Sequence, residues 1–123
     1  MTSTVTDTQI RDLAATANPA SIVILRWTAE RHQDGAAATE LEHQRRMVAL
    51  RADGVIAVLC PVVDDSEAGM AGVLIMSIGA DEAKALIAED PCVQAGMMTF
   101  EAHTCLTFPG DPVPVHDHRK IRG

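Results

Sequence analysis

A histidine moves protons usefully near neutral pH when a neighbouring group fixes which ring nitrogen carries the hydrogen, so the residues to find first are histidines with a carboxylate in reach. His43 precedes Met47 by four residues and Leu50 by seven, which puts it on the inward stripe of an amphipathic helix, with Glu42, Arg45 and Arg46 turned outward or to the flanks. Asp90 stands beside Pro91 at the end of a second helical segment. A carboxylate there faces the negative end of the helix dipole and needs a cation or an imidazolium for company. The histidine could serve general acid-base chemistry and the aspartate asks for a partner, but position alone establishes no site. Each also suits a plainer role, the histidine as a backbone-bonded boundary residue and the aspartate as the opening of a turn.

Other chemistries have less to stand on. Only Lys84 and Lys120 are lysines and tyrosine is absent, which argues against a Schiff base or a tyrosine acid. Ser3, Ser21, Ser66 and Ser77 sit in no G-x-S-x-G setting, and the chain has no G-x-G-x-x-G or G-K-[ST] loop. Cys60, Cys92 and Cys105 form no C-x-x-C pair and read as free thiols, Cys92 as a small buried one. His116 and His118 could share a metal in an extended tail, but no third ligand is fixed beside them, so no metal site is expected.

These side chains must be carried by a small scaffold. At 123 residues the chain has room for one domain, and 47% hydrophobic against 22% charged residues is the balance of a globular protein. A net charge of -7 with 2% aromatic residues lacks both the cationic surface and the stacking platforms of a nucleic-acid binder. No apolar run approaches the roughly 20 residues that span a bilayer, and the N-terminus lacks a basic start followed by an apolar core, so a soluble cytoplasmic protein is expected.

Along the chain, residues 1–18 read as an N-terminal arm with room for one short helix, closed by Asn18 and Pro19. Residues 21–28 are a first strand, and residues 30–35 a loop at one end of the sheet, where it could gate a cavity or serve as a plain solvated turn. Residues 38–54 are a helix, with Thr39 and Glu42 at capping-box spacing and Gly54 at its stop. A second strand ends near Cys60, before Pro61, and residues 71–79 form a third. Asp81 can cap a second helix that Asp90 and Pro91 terminate. Residues 97–108 alternate as a last strand, with Met98, Phe100, Ala102, Thr104, Leu106 and Phe108 on one face and Met97, Thr99, Glu101, His103, Cys105 and Thr107 on the other.

The order is βαββαβ, which predicts an α+β, ferredoxin-like fold with a four-stranded antiparallel sheet and two helices on one face. The domain spans residues 19–109, and residues 110–123 form a C-terminal tail. No helix remains for the second face of the sheet, so a second copy closing sheet on sheet, or a ligand cavity, is expected there. Arg26, Cys60, Glu101 and His103 are candidate substrate-binding residues, the last two because polar groups on an apolar interface need partners.

The pattern H-x10-G-x6-P at His43, Gly54 and Pro61, followed by D-P-x4-G at Asp90, Pro91 and Gly96 and a terminal strand, resembles the YCII-related (YciI-like) proteins of the dimeric α+β barrel group. The resemblance covers about residues 20–108. It implies a ferredoxin-like subunit, a homodimer through the sheet, and an active-site pair at His43 and Asp90. One member of that family is a dehydrochlorinase. The sequence departs from the pattern at Cys60, where glycine is common before the proline, and at Glu40, where a basic residue often stands. Glu40 is expected to repel an anionic substrate. The expected function is therefore proton transfer on a small molecule by His43 and Asp90, in an isomerase or a lyase such as a dehydrohalogenase, with no cofactor. The alternative is a non-catalytic dimeric ligand-binding or accessory protein in which the pair ties two helices together.

Overall fold

The computed structural model describes residues 3–64 and 69–113. Helix α1 (Asp7–Ala15) precedes strand β1 (Asn18–Trp27), a 3-10 turn (Ala29–His32), helix α2 (Ala36–Ala52), strands β2 (Ile56–Pro61) and β3 (Met70–Met76), helices α3 (Ala80–Ala88) and α4 (Pro91–Gln94), and strand β4 (Met98–Thr107). The four strands are antiparallel in the order β2-β3-β1-β4, the arrangement of a ferredoxin-like α+β fold.

Period-two alternation decides which side chains meet the helices. Val23 and Leu25 of β1 lie in register with Leu74 and Gly72 of β3 and with Ala102 and Phe100 of β4. Val23, Leu25, Leu74, Met76 and Ala102 form one buried cluster with Met47 of α2, Ala83 and Ile87 of α3 and Cys92 of α4. On the opposite face Ile22 and Ile24 lie in register with Ile75 and Val73, all half-buried. No helix of the core cluster covers that face. Helix α1, held by a capping box between Thr6 and Gln9, contributes no buried residue.

Several boundaries differ from the sequence expectation, each for a local reason. Strand β1 begins at Asn18 and takes in Pro19. Its pairing with β3 starts only at Ser21, so the missing proline N–H falls where β1 has a neighbour on one side alone. Helix α2 starts at Ala36, after Gly35 in the left-handed region at φ 80°, because three successive alanines are strong helix formers. Thr39 is therefore inside the helix, where its hydroxyl donates back to the Gly35 carbonyl at 3.2 Å, and the expected capping box does not form. The stop at Gly54 is as expected, with φ 78°. Gly79 caps α3 and Asp81 sits in its first turn, favourable to the helix dipole without being the cap.

Helix α3 does end before Asp90, but the chain re-enters a helix at once. Pro91 at the first position of α4 loses no hydrogen bond there, and its fixed φ suits a helix start. In β4 the inward face fades. Thr104 lies beside the first turn of α3, and beyond it Leu106 is 61% exposed. Met97 precedes the strand and is fully buried, against its expected side.

Among the described residues no helix is long and apolar enough to cross a membrane. The inward alternation carries a stability expectation. Leu74→Ala should lower unfolding free energy by about 2–5 kcal/mol through lost burial and the cavity left behind, while Leu106→Ala should stay within about 0.5 kcal/mol, both read from urea denaturation.

Candidate active site

The site is assembled by α2 and the short helix that follows α3. His43 shares its α2 stripe with buried Met47, and its side chain is 12% exposed. Asp90 is fully buried. The Nδ1–H of His43 donates to the Asp90 carboxylate, with Nδ1 2.8 Å from both Oδ1 and Oδ2. Oδ2 also accepts the Cys92 backbone N–H at 3.0 Å, so the same carboxylate caps α4 and holds the imidazole. Asp90 thus stands at the start of one helix as well as at the end of another, and its expected unfavourable position is offset by α4.

With Nδ1 committed, the chemistry of the ring is at Nε2. That atom makes no hydrogen bond among the described residues and is not among the buried unpaired atoms, so it reaches solvent space. His43 lines a cleft of about 460 Å³ between α2 and the β2–β3 side of the sheet, together with Trp27, Arg31, Glu40, Leu59 and Met98. A histidine with one nitrogen on a carboxylate and the other open to a cleft is arranged as a proton acceptor and donor.

Cys92 sits beside the pair without serving as a nucleophile. Its Sγ lies 3.9 Å from the Thr39 carbonyl oxygen. Burial, and then the nearby charges of Asp90 and Glu40, push its thiol up to about 11, which leaves it protonated at neutral pH. His43, Asp90 and Cys92 each offer a metal-ligating atom within 4.8 Å of the others. A protonated thiol and an Nδ1 already given to the carboxylate make a poor donor set for a divalent ion.

The other candidate residues lie across the sheet. Arg26 pairs in register with Thr99, Ile24 with Glu101 and Ile22 with His103, which places all three polar residues on the face away from the helices. There Arg26 Nη2 is 3.0 Å from Glu101 Oε1, and His103 Nε2 is 3.0 Å from Glu101 Oε2. The hydrogen bonds from His103 and Arg26 hold the Glu101 carboxyl below its usual range. Cys60, opposite Val73 on that same face, is exposed at the edge strand. The structure brings His43 to Asp90 and Arg26 to Glu101 and His103, and it keeps the two groups on opposite sides of the sheet. His116 and His118 lie outside the described residues.

Sequence reading put residues 30–35 where they could gate a cavity but named no residue there for the second wall of the cleft. Arg31, in that segment, lines it beside Trp27. A lone tryptophan followed four residues later by an arginine was the available signal.

The chain matches no protein-family model and, significantly, no curated protein.

Two outcomes follow from this geometry. Asp90→Ala should cost about 3 kcal/mol because it strips both the helix cap and the imidazole partner, whereas Asp90→Asn, which can still cap, should cost about 1 kcal/mol by thermal or urea unfolding. Cys92 should resist iodoacetamide at pH 8 in the folded protein and react once urea is added. Its folded-state value lies above the ordinary 9.0, so its contribution to stability is complete below about pH 9 and declines as pH rises through about 11.

Proposed function

We propose that this chain is a cytoplasmic, cofactor-independent enzyme of the YciI-like kind that works as a homodimer and uses His43 to transfer protons on a small molecule. The observation that carries the reading is the division of labour on one imidazole. Nδ1 is held by a buried carboxylate at 2.8 Å, and Nε2 is left for the cleft. The half-buried apolar face of Ile22, Ile24, Val73 and Ile75 supports the dimer, since apolar surface of that kind is ordinarily covered.

In the forward step Nε2 takes a proton from a carbon activated by a neighbouring carbonyl or unsaturated ring. The electron pair of that C–H bond forms a new C=C bond. In a lyase a halide or hydroxide departs from the adjacent carbon with its own bonding pair. In an isomerase the proton is returned at another carbon. Asp90 keeps Nε2 in its accepting tautomer and stabilises the imidazolium once the proton arrives.

The test is a turnover screen of β-halo and β-hydroxy carbonyl compounds and halogenated hydroquinones with native protein and His43→Gln. Turnover by the native chain should fall by about 10²- to 10⁴-fold in the variant, with the unfolding midpoint little changed. Equal turnover in both would end the assignment. A variant that loses much stability, in a protein that turns over nothing, would make the pair a structural tie between helices.

A further inference from the structure

We infer that Arg31 is the anion-recognising residue of the His43 cleft, and that the cleft takes a small organic acid with one carboxylate on an apolar body. The inference rests on the catalytic reading only for what happens after binding.

Three observations carry it. First, Arg31 is a poised donor. Its guanidinium carbon lies 4.1 Å from the centre of the Trp27 ring, so its face is spent on the indole while its N–H edge remains available for an in-plane partner. Among the described residues no carboxylate lies within ion-pair distance of it, and its side chain makes no hydrogen bond, although it lines the cleft. Second, the loop that carries it is anchored. Thr28 Oγ1 donates to the Gly96 carbonyl at 2.6 Å, the Thr28 N–H to Met97 at 2.9 Å, and Gln33 Nε2 to the Ala95 carbonyl at 3.1 Å. All three acceptors belong to the turn that leaves α4, so the segment that orients His43 also sets the position of Arg31.

Third, the remaining wall is selective. Met47, Leu59, Val62 and Met98 offer an apolar lining. Glu40 lines the same cleft one helical turn before His43. The expected repulsion of anions by Glu40 is therefore met by a cation on the facing loop. One carboxylate at Arg31 is accommodated and a second negative charge is disfavoured by Glu40. A carboxylate held at Arg31 would leave the adjacent carbon chain to lie against the apolar wall and His43.

Trp27 is the only tryptophan of the chain and lines the cleft, so a ligand seated there should change its fluorescence. The full chain is titrated with hexanoate, hexanamide and adipate. Hexanoate should give a saturable change with an affinity about tenfold above that of hexanamide, as loss of a charge-assisted hydrogen bond implies. Adipate should bind more weakly than hexanoate and recover in Glu40→Gln. Arg31→Gln should lose about tenfold for hexanoate and little for hexanamide, with Arg31→Lys in between. Equal affinity for acid and amide, no saturable response to hexanoate, or an unchanged hexanoate affinity in Arg31→Gln would each overturn the inference. Intact hexanoate binding by native protein and His43→Gln, without turnover of any compound, would uphold Arg31 and defeat the catalytic reading. Turnover confined to neutral compounds and untouched by Arg31→Gln would do the reverse.

Discussion

A carboxylate with no solvent contact is the constraint around which this small domain is arranged. Removing such a group from water costs several kcal/mol unless its oxygens are satisfied by donors. Asp90 finds them in two different elements, the imidazole N–H of α2 and the backbone N–H of Cys92 in the first turn of α4. Neither donor alone would justify the position. The result is a clamp that fixes α2 against the end of α3 and makes a four-residue helix worth forming. That helix then ends at Ala95, and the turn after it receives the hydrogen bonds of the β1–α2 loop. Both walls of the cleft are thus set by one short stretch of chain.

This economy explains why the cleft has a defined shape without being deeply enclosed. The inner wall is the stripe of α2, continuous with the hydrophobic core through Met47. The outer wall is a loop, which would ordinarily be the most mobile part of such a site. Here its side-chain and backbone bonds to residues 95–97 tie it to the core, where Met97 and Met98 are buried. The cation-π contact between Arg31 and Trp27 removes one more degree of freedom.

Much of this was legible in the residues themselves, and the failures are instructive. The apolar runs and the alternation around Met98 to Ala102 gave the strands, because burial on one face imposes period two whatever the distant context. His43 and Asp90 were paired through the resemblance carried by His43, Gly54, Pro61, Asp90, Pro91 and Gly96, since position alone put one on a helix stripe and the other at a helix stop without showing that they meet. The start of α2 was misplaced because a capping motif at Thr39 and Glu42 competed with the intrinsic preference of residues 36–38, and the alanines prevailed. α4 was invisible, since one turn of helix has no periodicity to read. Glu101 and His103 were placed on one face of the last strand by parity, and the structure adds Arg26 and Cys60 to that face, yet parity says only which residues share a face. It says nothing about which face holds the cleft. Arg31 escaped because loops have no repeating pattern and its role depends on a contact with Trp27 and on bonds to residues 95–97, more than sixty positions away.

The alternation of β1 also partitions the molecule's capacity to change over generations. Val23 and Leu25 belong to the core behind the His43 cleft, while Ile22, Ile24 and Arg26 belong to the opposite surface. Neighbouring codons in one strand therefore answer to separate selective pressures. Substitutions at the even positions can remodel the surface away from the helices while His43 and Asp90 keep their surroundings, and repacking at the odd positions can tune the cleft without disturbing that surface. A gene for a domain this short can thereby vary its two faces as two nearly independent searches.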